Sequence, residues 1–211
     1  MEHRHERIAL VEACRQMYAR GYIVASDGNV SMRLAQGWIL ATPTAARKGH
    51  LEPMDLVLTD AEGTPLPGEY GRPSLELAMH VSIYGLRPDV RAIVHAHPPC
   101  AVAHTIAGVS MAEPLVPEVY CQLGEIVTVP YTTPTTSEVS EAVASKLGAH
   151  NALVLARHGT VTLGATLDQA YDRLEVLEHA AKMSLFARLL AGEGRGVQGL
   201  SVEQLDALSR L

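Results

Sequence analysis

The residues with the clearest capacity for chemistry stand in Arg91-Ala-Ile-Val-His95-Ala-His97-Pro-Pro99. Ile93 and Val94 read as a buried β-strand, and side chains two apart on a strand project to the same face. His95 and His97 therefore share a face, and two imidazoles on a stiff strand make half of a transition-metal site. Pro98 and Pro99 cannot continue the ladder, so the pair sits at the carboxyl end of the strand, where α/β folds usually bind ligands. A lone H-x-H is more often two unrelated histidines than a metal site; the apolar strand, its hard stop and candidate further ligands elsewhere favour the metal. His158 repeats the pattern, following the apolar run Asn151-Ala-Leu-Val-Leu155 and preceding Gly159, which lets backbone approach closely. If the two strands are neighbours, His95, His97 and His158 converge, and three protein ligands with an open fourth position is the catalytic arrangement for zinc. The other histidines lack this placement and read as surface or packing residues.

Candidate acid, base and anion-binding groups lie upstream. Pro73-Ser74 opens a helix with Glu76 in its first turn, where a carboxylate is favourable for the helix dipole whether or not it does chemistry. His80, four residues on, shares its helical face as a core or supporting histidine. Two turns, Ala25-Ser-Asp-Gly28-Asn29-Val-Ser31 and Thr42-Pro-Thr-Ala-Ala46, carry small hydroxyl and amide residues with exposed backbone N–H groups. Such nests suit a phosphate or carboxylate, although each is also an ordinary turn.

The elements that must position these groups alternate between strand and helix. A helix is expected over residues 5–20, ended by Gly21, then a strand entered from Gly28-Asn29. Ala35-Gln-Gly37 turns into a strand over 38–41, and another strand covers 56–59. Helices follow over 73–86 and 99–107. Residues 116–129 read as two short strands around Leu123-Gly124-Glu125. A helix capped by Ser137 runs to about 147, strands cover 151–155 and 160–163, and a long helix occupies 167–191. Residues 192–199, with four glycines, are expected to be a flexible linker to a short amphipathic helix over 202–208. The expected organisation is one α/β layered domain over 1–191 with a tail over 192–211.

With 47% hydrophobic residues, the 211-residue chain can build a substantial core, packed by Ala, Val and Leu because aromatics are only 4%. The net charge of −6, without a basic run, argues against a nucleic-acid partner. Cys14, Cys100 and Cys121 are odd in number and widely spaced, as expected of reduced cytoplasmic thiols. The charged N-terminus does not look like a signal peptide, and no apolar run is long enough to span a bilayer. A cytoplasmic protein with no membrane partner is expected.

The ordered set Gly28-Asn29-Val30-Ser31, Thr42-Pro43-Thr44, Pro73-Ser74-Leu75-Glu76, His95-Ala96-His97 and His158-Gly159 resembles the class II aldolase/adducin family, most of all its L-fuculose-1-phosphate aldolase group. The resemblance implies a three-layer α/β/α fold with a central, mostly antiparallel sheet, and a homotetramer with sites at subunit interfaces. It implies one zinc ion per chain on His95, His97 and His158, with Glu76 as general acid/base. Gly28, Asn29, Thr44, Ala45 and Ser74 fall where the family cradles a substrate phosphate. The activity implied is zinc-dependent cleavage of a phosphorylated ketose to dihydroxyacetone phosphate and an aldehyde. A related metal-dependent decarboxylase or dehydratase on a sugar acid or thiosugar phosphate is the alternative. The 4-epimerase branch fits less well, because it carries aspartate where Glu76 stands. A non-catalytic adducin-like scaffold is disfavoured by the complete histidine set.

The chain departs from the family at two phosphate positions, with Leu75 where a second hydroxyl residue is usual and Ala45 where glycine is usual. Arg47 or Lys48 could replace lost donors, or could simply be solvated loop residues. Family aldolases also supply tyrosines from a neighbouring loop and the C-terminal tail, and no tyrosine follows Tyr171 here.

Overall fold

The computed structural model describes residues 2–192 and 195–210, so part of the glycine-bearing linker lies outside the described residues. In chain order the elements are α1 (Arg4–Ala19), β1 (Asn29–Arg33), β2 (Ile39–Ala41), β3 (Val57–Thr59), α2 (Leu77–Leu86), β4 (Ala92–Ala96) and α3 (Pro99–Ile106). They continue with α4 (Pro117–Leu123), β5 (Val127–Val129), α5 (Ser137–Leu147), β6 (Ala152–Leu155), β7 (Gly159–Gly164), α6 (Leu167–Ala191) and α7 (Val202–Leu208). Among the described residues, seven strands form one sheet in the order β3-β2-β1-β4-β7-β6-β5. Every pairing is antiparallel except β5 with β6, whose connection is the crossover helix α5. No described helix is long and apolar enough to cross a membrane.

Strand β4 lies at the centre, and its residues are buried throughout, as its apolar run Ala92-Ile-Val94 requires and with His95 buried among them. Alternation along the strands sorts side chains between two layers. Ile93, Val161 and Leu163 face α2 and α5, packing with Met79, Ile83, Val139 and Val143. Val30, Leu40 and Val94 face the other way, against α1 and the first half of α6, through Leu10, Met17 and Leu174. Helices α3 and α4 extend that second layer, with Ala101, Val119 and Leu123 clustered on Leu177 and Ala181 of α6. The result is the expected α/β/α sandwich with a mostly antiparallel sheet.

Three local expectations change. Residues 116–129 form helix α4 and strand β5 rather than two strands. Val116 is extended, Pro117 takes the first helical position and Gly124 ends the helix with φ of 67°, so Val119 and Leu123 both reach the core. Helix α2 starts at Leu77, leaving Glu76 as the residue before its first turn. Finally β4 and β6 are not neighbours, because β7 runs between them. A three-residue hairpin, with Arg157 at φ of 58°, returns the chain after β6 and delivers His158 to the start of β7.

Helix α2 is fastened to β1 at both ends. Arg33 donates from its guanidinium to the carbonyls of Tyr84, Arg87 and Pro88, satisfying groups at the helix C-terminus. Towards the other end, Asn29 and Ser31 face Glu76 and His80, which lie one helical turn apart. Helix α7 packs against α4, and the Leu200 N–H donates to the Pro114 carbonyl at 2.9 Å.

Candidate metal centre and active-site cleft

His95 lies one residue before the end of β4 with its ring fully buried, and its Nδ1 lies 2.9 Å from the Thr160 carbonyl oxygen. A carbonyl only accepts, so Nδ1 carries the proton and the Nε2 lone pair is turned inward. His97 follows two residues later, its backbone N–H donating to the Tyr22 carbonyl at 2.9 Å. The Nε2 atoms of His95 and His97 lie 3.2 Å apart. His158 completes the group, and one ligand atom from each of the three rings lies within 4.8 Å of the others. Ring lone pairs converging this closely repel unless a cation or a proton sits between them. Burial, then the neighbouring rings of His95 and His158, push the His97 pKa down to about 4, which leaves its ring neutral and free to coordinate near pH 7. The donor set therefore fits a divalent metal ion of the imidazole-preferring class.

Two glycines make this packing possible. A Cβ on Gly159 would fall against the Ala96 carbonyl and the His97 ring. A Cβ on Gly28, at φ of +67°, would meet the His95 carbonyl oxygen and the Ile23 side chain at 2.7 Å. The Cys100 and Ala101 N–H groups at the start of α3 both donate to the Glu178 carboxylate, at 3.0 and 2.9 Å. Glu178 is fully buried on α6 and so fixes the segment that leaves His97. Its position on the apolar face of α6, among Leu174, Leu177 and Ala181, was a signal in the sequence that a residue-type search for chemistry passes over.

Glu76 stands over the histidines, with Oε2 at 3.3 Å from His95 Nε2 and Oε1 at 3.3 Å from His158 Nε2. The Asn29 side-chain amide donates to Oε2 at 2.9 Å. Asn29 pairs with His95 across β1 and β4, so the strand register itself places this amide beside the histidine. Burial opposes ionisation of Glu76, but the contacts with His158 and His95 override it and hold the carboxyl well below the usual range. Beneath, His80 is buried with Nδ1 at 2.7 Å from Ser31 Oγ, which also lies 2.8 Å from the Tyr84 hydroxyl. His80 is thus a hydrogen-bonded interior residue supporting the wall, with burial pushing its pKa down to about 3.

A cleft of about 350 Å³ opens onto the centre, lined by Gly28, Thr44, Ala45, Ser74, Glu76, His97 and His158, together with Lys48. The turns containing Gly28 and Thr44 thus share one wall. The Ser74 hydroxyl oxygen accepts from the Glu76 backbone N–H at 3.3 Å, which leaves its own proton free to donate. Asn29 and His95 form the floor rather than the lining. Lys48 is 2% exposed, so the solvated-loop reading of it is wrong: its ammonium donates to the carbonyls of Ser26 and Ala46, at 2.9 and 3.0 Å. Arg47 is exposed.

Comparison with known proteins decides the family. The Class II Aldolase and Adducin N-terminal domain matches residues 8–185. The chain belongs to this family. It is 33% identical to a Haemophilus influenzae 3-oxo-tetronate 4-phosphate decarboxylase over 201 residues, covering 93% of this chain and 94% of that one. It is 36% identical to a Methanococcus vannielii L-fuculose phosphate aldolase over 174 residues, covering 82% and 92%. Among solved structures, Klebsiella pneumoniae YgbL, described across aldolase, epimerase and decarboxylase, superimposes with a TM-score of 0.88 at 30% identity, covering 99% of both chains. The L-fuculose-1-phosphate aldolase of Thermus thermophilus gives 0.78 at 33% identity, covering 90% and 97%. The Haemophilus and Methanococcus relatives are a decarboxylase and an aldolase, both carbon–carbon lyases.

Proposed function

We propose that this chain is a metal-dependent carbon–carbon lyase that releases dihydroxyacetone phosphate from a phosphorylated 2-hydroxy-3-oxo acid, with carbon dioxide as the leaving group. The observation that carries the reading is Glu76, whose two carboxylate oxygens lie 3.3 Å from the inward nitrogens of His95 and His158. A carboxylate so placed lies beside any carbon whose neighbouring oxygens are held at the histidines.

His95, His97 and His158 would hold the ion, which we take to be zinc. When bound, it supplies a Lewis acid for the ketone and adjacent hydroxyl oxygens of the substrate. The buried floor of Asn29 and His95 excludes water from one side, and Asn29 fixes the Glu76 carboxylate in place. Loss of carbon dioxide from the carbon beside the ketone leaves an enediolate; the Glu76 carboxylate takes up a proton from solvent and passes it to that carbon, which completes dihydroxyacetone phosphate. Gly28, Thr44, Ala45 and Ser74 line the part of the cleft that would take the phosphate, with Asn29 behind them committed to Glu76.

The same three-carbon enediolate arises when a ketose 1-phosphate is cleaved between its third and fourth carbons. The reactions differ in the leaving group, since an aldehyde forms only if a base removes the proton of its hydroxyl. The 3-oxo-tetronate 4-phosphate decarboxylase of Haemophilus influenzae, matched over 93% of this chain, supports the leaving group that needs no such base. The Methanococcus relative keeps aldol cleavage as the second reading. The assembly is proposed to be a homotetramer, on the family resemblance.

The deciding experiment gives the zinc-loaded protein 3-oxo-tetronate 4-phosphate and L-fuculose 1-phosphate separately and follows triose phosphate by coupled reduction. Triose phosphate and carbon dioxide are expected from the acid. Release from the ketose alone would reverse the assignment, and release from neither would refute the lyase.

A further inference from the structure

Lys48 is a buried charge whose partners do not balance it. It is 2% exposed, and among the described residues no carboxylate lies within ion-pair distance of its ammonium. An ammonium carries three N–H donors. Two go to the Ser26 and Ala46 carbonyls, and no described protein group accepts the third. The group lines the cleft, so the third donor's remaining outlet is the space between the two turns. Its backbone N–H reaches the Ala25 carbonyl at 3.3 Å, which ties the lysine to both turns at once. Burial draws its pKa down, against the opposing pull of Cys14, Asp27 and Glu76. A buried cation without an anion is unfavourable, and an anion arriving in the cleft relieves it.

We propose that Lys48 is a specificity-determining residue of the cleft, whose ammonium binds the substrate phosphate between the turns at residues 25–28 and 44–46. The inference rests on reading this cleft as the substrate site. It assigns the phosphate rather than the carboxylate for a geometric reason. The carboxylate to be lost is attached to the carbon whose hydroxyl and ketone neighbours go to the histidines. The phosphate is at the other end of the substrate. At the lysine end, the free proton of Ser74 and the Thr44 hydroxyl add neutral donors to the one cation. Lys48 thereby supplies charge where Leu75 and Ala45 have removed what other family members place around the anion.

The test measures binding of inorganic phosphate, and separately of acetate, to the zinc-loaded protein by calorimetry. Lys48→Gln retains amide donors for the Ser26 and Ala46 carbonyls but removes the charge, whereas Lys48→Arg keeps the charge. Phosphate binding is expected to weaken tenfold or more in K48Q and to stay within about threefold in K48R, with zinc content unchanged in both. In the parent protein, saturating phosphate is expected to slow acetylation of Lys48 by acetic anhydride while exposed Lys146 is modified as before. This readout stands even where a variant fails to fold. Unchanged phosphate affinity in K48Q, or unprotected Lys48, overturns the assignment. Acetate binding as tight as phosphate, and as dependent on Lys48, overturns it in favour of a carboxylate clamp. Turnover is not measured, so phosphate binding through Lys48 without release of triose phosphate refutes the reaction proposed above and leaves this residue's role intact.

Discussion

At the histidine end of the cleft, Gly28 and Gly159 stand where backbone and ring crowd together, while Arg157 in the exposed hairpin holds φ of 58°; at the lysine end, Ala25 and Ala45 hold left-handed backbone at φ of 47° and 55°. The histidine end is fixed by long-range pairing. His95 is clamped between Asn29 on β1 and Val161 on β7, and its ring tautomer is set by the Thr160 carbonyl. The lysine end consists of two turns joined by one side chain, and its alanines store strain that glycine would not. A substitution at the first end should abolish binding or turnover, whereas one at the second should retune affinity or stability.

The largest expected effect comes from breaking the first end. His158→Ala removes one of three convergent nitrogens from a turn that the β6–β7 hairpin keeps in place without it. We expect loss of bound zinc, read by elemental analysis, and loss of turnover, with the circular dichroism spectrum retained. Full zinc occupancy in this variant would take His158 out of the centre.

Glu76→Gln should be the next most severe. The amide keeps an acceptor for Asn29, so folding and zinc content should survive. Turnover should fall by about two to four orders of magnitude, the usual worth of a positioned proton-transfer group. Had Glu76 been only a favourable helix charge, its contribution would be about 0.3–1 kcal/mol and activity would barely change. Near-normal exchange of the product's hydroxymethyl protons with solvent in this variant would move proton transfer to another residue.

The smallest effect sharpens the contrast at the lysine end. Ala45→Gly releases a left-handed alanine, and the gain is offset by the entropy glycine loses on folding. A net stabilisation of about 0.5–1 kcal/mol is expected in urea unfolding, with zinc content untouched. A destabilised variant would show that the Ala45 methyl group packs against something in the assembled protein.

Much of the histidine end was legible in the sequence, because its signals are local: an apolar run, an H-x-H step and a double proline. The convergence itself was not legible by the route expected, since β4 and β6 are separated by β7, and only the short hairpin at residues 156–158 brings His158 across. Helix α4 was misread because Val116, Val119 and Tyr120 are common strand residues, although Pro117, Glu118 and Gly124 carry the start and stop signals of a helix. Lys48 was illegible for a different reason. Its burial depends on carbonyls 22 and 2 residues away, and nothing in a loop's composition distinguishes a solvated lysine from one turned inward.

The register of β4 has a consequence for how the protein can be assayed. Sliding β4 by one residue against β1 and β7 would turn His95 towards α1 and α6 and put Val94 or Ala96 in its place. The sheet could still form such a slipped ladder, but the imidazoles would then lie on opposite sides of it. Metal stoichiometry in refolded material therefore counts correctly threaded chains, and a value below one per chain is a census of misalignment that spectra of secondary structure cannot take.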